Sequence, residues 1–178
     1  MNILLIVLAV IMALVAIVLL LAANKPDNFA LQRRASIHAP AENIFPLIND
    51  LRAHESWSPF DKPDPKTKKI HSGAVEGEGA VYEWEGKGEA GAGRLAIAES
   101  SPSSRIVMQL DMLKPIKASN TVVFTLQPKG PDTEVTWAMQ GRTPFAAKIF
   151  HVFCNMDRML GKTFEDGLAN LGTLAERR

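Results

Sequence analysis

A single cysteine, Cys154, and a single tyrosine, Tyr82, occur in 178 residues. One thiol excludes an internal disulfide and leaves the redox compartment unspecified. The four histidines, His38, His54, His71 and His151, nowhere fall at H-x-H or H-E-x-x-H spacing, so no zinc-ligand pattern is present. No metal and no cofactor is therefore expected. An excess of charge of one sign is lacking too. Twenty Lys and Arg against 19 Asp and Glu leave a net +1, which excludes the basic footprint of a nucleic-acid partner. There is no internal repeat and no low-complexity segment. The sharpest absence is local: Met1 to Asn24 contains no charged side chain.

What fills that segment is apolar throughout. Ile3 to Ala23 is Leu, Ile, Val, Ala and one Met, and 15 of these residues are Leu, Ile or Val. At about 1.5 Å per residue the run spans roughly 30 Å, the thickness of a bilayer's hydrocarbon core. A cleaved secretory signal would carry a basic leader, an apolar stretch of about 7–15 residues and a small-x-small cleavage site. Here the leader is missing, the run is too long, and Leu21 stands where a small residue belongs. The expectation is a single-pass anchor over residues 1–24, a linker over 25–29 and one soluble domain over 30–178. Lys25, Arg33 and Arg34 follow the anchor, and the positive-inside rule then puts the domain on the cytoplasmic side.

Beyond the linker the periodicity alternates between two and 3.6 residues. Ala30–His38 reads as a strand. Ala39-Pro40 opens a helix with Pro at its first position and Glu42 in its first turn. Ile44, Phe45, Leu47, Ile48 and Leu51 form its apolar side, and Trp57-Ser58-Pro59-Phe60 ends it. Six strands follow: Lys68–His71, Ala80–Glu85, Gly91–Glu99, Arg105–Met112, Ala118–Gln127 and Glu134–Gly141. Their alternation marks an antiparallel sheet with one covered face. Thr143-Pro144 caps a long final helix with an apolar stripe of Ile149, Phe153, Met156, Leu160, Phe164, Leu168, Leu171 and Ala175. Gly161 and Gly167 predict a break near Asp157–Gly161. The class is α+β: a curved antiparallel sheet wrapped on a long C-terminal helix.

Several motifs in this order carry a family likeness. They are Ile37-His38-Ala39-Pro40 leading into Ile44-Phe45, Asn49-Asp50, Trp57-Ser58-Pro59, and Gly77-x-Gly79-Ala80-x-Tyr82-x-Trp84. Val135-Thr136-Trp137 and the run Gly161 to Leu171 complete the set. Together they resemble the SRPBCC or START-like superfamily, the polyketide cyclase/dehydrase-like proteins of helix-grip fold, in its membrane-anchored bacterial form. The resemblance implies a hydrophobic cavity between the concave sheet face and the C-terminal helix. It implies no reaction, because lipid carriers, cyclases and chaperone-activator modules share the fold.

Nine residues are expected to line such a cavity: Tyr82, Trp84, Met108, Met112, Phe124, Trp137 and Met139 from the sheet, with Phe153 and Met156 from the helix. Four of the seven Met fall in this set, and Met suits adaptable apolar surfaces. The same residues would equally serve as an ordinary filled core. The expected partners are the membrane, through the first helix, and a hydrophobic small molecule or lipid; no protein partner is indicated. No residue is assigned a catalytic role. Glu83, Glu85 and Asp111 fall on the outer face by alternation, leaving His151 and Asp157 as the charged positions within reach of the cavity mouth. Cys154 shares a helix side with His151, as packing thiols commonly do. Gly86-Lys87-Gly88-Glu89-Ala90-Gly91 matches G-x-G-x-x-G, but a strand follows it instead of a helix, so it reads as a hairpin turn. A cyclase or dehydratase would show a polar dyad inside the cavity. A chaperone-activator-like module would show a filled core and an exposed apolar patch.

Overall fold

The computed structural model describes residues 2–61, 66–86, 91–153 and 156–177. Cys154 and residues 87–90 of the glycine-rich turn lie outside these, and so does the side chain of Met156. The elements are α1 (Asn2–Ala23), β1 (Asn28–Ile37), α2 (Ala41–Asn49), a 3-10 turn (Ala53–Ser56), β2 (Lys68–Gly73), β3 (Ala80–Glu85), β4 (Ala92–Ser101), β5 (Arg105–Lys114), β6 (Ala118–Lys129), β7 (Asp132–Arg142), α3 (Phe145–Phe153) and α4 (Met156–Ala175). Period-two sequence became strand, and each strand pairs antiparallel in one seven-stranded sheet of order β1-β7-β6-β5-β4-β3-β2. Gly86 N–H donates to Gly91 O at 2.8 Å, closing the β3–β4 hairpin where the glycine motif stands.

Directly opposed residues of antiparallel strands share a face. The face of Trp137 therefore carries Phe124 and Ile106, and Met139 continues through Val122 and Met108 to Ile97. This is the concave, covered side. α2 lays Ile44, Leu47 and Ile48 into it, all buried. Pro40 keeps an extended backbone, ψ 152°, so the helix opens one residue later than expected, with Pro40 as its N-cap. Trp57 is buried beneath α2, and its Nε1–H donates to Leu47 O at 2.8 Å.

The C-terminal stripe folds as two helices. These are α3 and α4, and α4 runs unbroken through Gly161 and Gly167. The expected break at Asp157–Gly161 is thus misplaced, because these glycines serve close approach rather than bending. A Cβ on Gly161 would stand 1.9 Å from Arg33 Nη2, and one on Gly167 would stand 2.7 Å from the Trp137 ring. Arg33 donates to Glu165 at 2.8 Å and to Asp157 at 3.2 Å, fastening the first half of α4 to β1. Phe164 then stacks on Trp137, with centroids 4.2 Å apart and planes 11° from parallel.

These contacts predict opposite signs for two glycine substitutions in one helix. Gly172 has room, its nearest would-be contact being Ile37 at 3.5 Å. Gly172→Ala should gain helix propensity and stabilise the domain by about 0.5–1 kcal/mol. Gly167→Ala should displace the Trp137 ring and cost about 1–3 kcal/mol. Thermal unfolding of both variants in detergent micelles checks the pair.

Candidate functional site

The concave face divides into two halves. Over β1 and β7 it is sealed by α4, and a cluster of edge-on and stacked rings fills the space. Trp57 meets Trp137 at 5.5 Å and Phe124 at 5.9 Å, and Phe60 meets Trp137 and Phe164. Over β3–β5 the cover thins. Trp84, Leu95, Leu110 and Met112 are only half-buried there, although their strand partners place them on the same face. Trp84 lies across Gly93, whose missing side chain admits the indole, since a Cβ would meet it at 2.4 Å.

Register also fixes which end of the sheet this half occupies. β1 begins at Asn28, a few residues after α1, and Asn28 pairs with Arg142 at the end of β7. Gly141 pairs with Asn120, Asn120 with Leu110, Met112 with Gly93, and Gly93 with Trp84. The half-covered apolar surface therefore lies toward the end of the sheet at which α1 joins β1.

Two polar atoms on this face are buried without a hydrogen-bond partner among the described residues: Asn120 Oδ1 and Trp137 Nε1. Asn120 folds its side chain over Gly141, where a Cβ would touch Oδ1. Each unmet group costs about 1–3 kcal/mol, so an acceptor and a donor are held at that expense along one apolar surface.

A polar cluster stands at the β2–β3 edge of the same face. Tyr82 is buried and stacks on His71 with centroids 4.9 Å apart, with Asp61 close enough to act on its hydroxyl. Burial, reinforced by Asp61, pushes the phenol pKa well up. His54 is buried, bonds Ile48 O through Nε2 at 2.8 Å, and turns Nδ1 toward Asp61 Oδ2 at 3.9 Å. Burial lowers its pKa, and Asp61 opposes this only in part. Lys69 ties the segment down, bonding Glu55 at 2.7 Å and Asp61 O at 3.3 Å. Asp61 thus stands between a phenol and an imidazole, 3.9 Å from the latter and beyond hydrogen-bond distance of it.

Seven of the nine expected lining residues share the concave face. Met108, Phe124, Trp137 and Met139 are buried in the core, Tyr82 belongs to the polar cluster, and Trp84 and Met112 border the thinly covered half. Phe153 does not join them. It is 71 % exposed on α3, which packs on α1 rather than over the sheet. Met156 opens α4, but its side chain lies outside the described residues. His151 sits beside Lys25, and Asp157 is taken by Arg33. Glu83, Glu85 and Asp111 lie on the outer face as expected. Sequence reading missed the His54–Asp61–Tyr82 cluster. The only local hint was a Trp-Ser-Pro-Phe turn between a histidine and an aspartate. Two surface grooves lie apart from all nine residues. One of about 500 Å³ is lined by outer-face residues including Ser119, Thr121 and Gln140. One of about 240 Å³ runs between Glu55–Pro59 and α4.

No family model matches the chain, and no curated protein does. Solved structures do. Protein MLL2253 from Mesorhizobium loti aligns with a TM-score of 0.62 at 14% identity, over 84% of this chain and 98% of that one. The di-domain ARO/CYC StfQ from the steffimycin biosynthetic pathway aligns at 0.60 and 11% identity, over 85% of this chain. DynU16 from the dynemicin biosynthetic locus aligns at 0.58 and 15%, again over 85%. This chain spans about half the length of the last two, 51% and 48%. The fold is the sheet-and-helix fold of polyketide cyclase-like proteins.

His54 generates a pH prediction. Its folded-state pKa lies below the ordinary value of about 6.5. Below that pH the unfolded chain takes up a proton that the folded chain resists. The stability is therefore complete above about pH 6.5 and falls as pH drops through the folded pKa. His71 and His151 act in the same direction and exposed His38, raised by Asp132, in the opposite one. Thermal unfolding from pH 7.5 to 5 should show a falling midpoint. The fall should be shallower in His54→Gln, whose amide can still donate to Ile48 O.

Proposed function

We propose that this chain is a membrane-held binding domain that takes a hydrophobic small molecule or lipid on the concave face of its sheet. One observation carries the reading. Trp84, Leu95, Leu110 and Met112 form a thinly covered apolar surface, and the buried but unpartnered Asn120 Oδ1 and Trp137 Nε1 lie on the same face. An apolar wall with a few fixed polar groups is the usual composition of a small-molecule site. Ile3–Ala23 is long and apolar enough to cross a membrane, with a mean hydropathy of 3.6. The short linker holds the thinly covered half on the anchor side, near a reservoir of apolar molecules. The domain stands on the cytoplasmic face in this reading, which rests on Lys25, Arg33 and Arg34 following the first helix in sequence. The neighbours StfQ and DynU16, from polyketide-type biosynthetic loci, share this fold, which supports the reading.

Full-length protein gently extracted and examined by native mass spectrometry should carry a bound apolar species, and it should bind a fluorescent fatty acid. Leu110→Glu or Met112→Glu should weaken that binding about tenfold or more, since an unpaired carboxylate would then face the ligand. A protein that is consistently empty and ignores the probe overturns the reading.

The grouping of Asp61 with Tyr82 and His54 favours a second reading, an enzyme of cyclase or dehydratase type working on the same face. A hydrophobic β-hydroxyketone should then lose water in its presence. Asp61→Asn should slow that turnover by about 10²–10⁴-fold, the usual range for acid–base catalysis. Absence of turnover in the wild type leaves binding alone.

A further inference from the structure

α3 is an amphipathic helix turned inside out. Its inward side carries Lys148, buried and ion-paired with Asp27, and half-buried His151. Its outward side carries Phe145, Ala146, Phe150 and Phe153, with Ile149 half-buried at the margin. The three phenylalanines are 49%, 48% and 71% exposed. In water such a face is a liability that few soluble surfaces tolerate.

The position of α3 says what covers it. α3 packs against α1. Within the stretch 3–23, only Val18 and Ala22, one turn apart, lose exposure. Val18 lies five residues before the end of α1, roughly 7–8 Å along the helix axis. Amphipathic helices in a bilayer interface sink to a depth of about 5–10 Å. The linker fixes the arrangement: Asp27 accepts from Thr143 N–H at 2.7 Å through its carbonyl and from Lys148 through its carboxylate. The β5–β6 hairpin, at the same edge of the sheet, adds exposed Leu113 and Ile116.

We infer that α3 lies in the membrane interface beside α1, with Phe145, Phe150 and Phe153 in the acyl region, and that it docks the anchor-proximal edge of the sheet onto the bilayer. The inference rests on α1 crossing the membrane. α3 then works as a second, shallow anchor. It turns a flexible tether into a fixed orientation with the thinly covered half of the concave face toward lipid.

The test uses full-length protein with Cys154 replaced by Ser, in vesicles of phosphatidylcholine and phosphatidylglycerol. Single spin labels are placed at Phe150→Cys, Phe153→Cys, Leu14→Cys and Lys129→Cys, and their collision rates with oxygen and a water-soluble nickel chelate are compared. All four side chains are exposed, so the labels leave the fold intact. Positions 150 and 153 should show an oxygen-to-nickel ratio several-fold above that at 129, with 14 deeper still. Nickel access at 150 and 153 equal to that at 129, with 14 in lipid, overturns the inference and leaves the anchor standing. Nickel access at 14 as well removes the anchor and the inference with it. Shielding of 150 and 153 from both reagents, with spin–spin broadening, places a second copy on the face and also overturns the inference.

Discussion

The stack of Phe164 on Trp137 governs how the sheet is covered. With the rings 4.2 Å apart and nearly parallel, α4 is held close over β7, and Gly167 supplies the clearance. Arg33 sets the second point of attachment by reaching Asp157 and Glu165 past Gly161. A helix fixed at two points on β1 and β7 cannot also lie over β3–β5. The thin cover at Trp84, Leu95, Leu110 and Met112 is therefore a consequence of where α4 is clamped. The aromatic packing that fills one half of the concave face leaves the other half open to a partner.

The same geometry separates residues that look alike in sequence. Phe124 and Trp137 are core because α4 and the Trp57 turn reach them. Trp84 and Met112 have the same alternation and hydrophobicity but lie beyond that reach. Asn120 sits between the two populations. Its position inside an otherwise apolar strand is costly unless something accepts its company. The polar cluster at the sheet edge obeys a related constraint. His54 and Asp61 are brought together by a turn that Trp57 anchors in the core, and Lys69 fastens it to β2. Burial disfavours the charged imidazolium of His54, and Asp61 offsets that only in part.

The strands were legible because alternation is a local signal, and it placed Tyr82, Trp84, Met108, Met112, Phe124, Trp137 and Met139 on one face. Their boundaries shifted by a residue or two; β1, for example, begins at Asn28 rather than Ala30. The division of those residues into sealed core and thin cover could not be read, because it depends on the distant Arg33 and Phe164 contacts. The final helix shows the limit most clearly. Ile149 and Phe153 continue the 3.6-residue stripe of Phe164, Leu168 and Leu171, yet they stand on α3, which packs on α1, while the others stand on α4 over the sheet. Periodicity reports that one side is apolar, not what that side faces.

That ambiguity bears on α3 and α1 together. A soluble core would draw Phe145, Phe150 and Phe153 inward and leave Lys148 in water. Here the buried ammonium is compensated by Asp27, a residue of the segment joining α1 to β1, so the inverted polarity is built into the connection between the first helix and the sheet. Desolvating Lys148 is unfavourable unless its partner is held in place, and Asp27 is held by the backbone bond from Thr143. The ion pair therefore couples the direction in which α1 leaves the domain to the side of α3 that is left bare. Both apolar surfaces then point to the same phase, whereas a chain tethered by a slack linker would have no reason to align them.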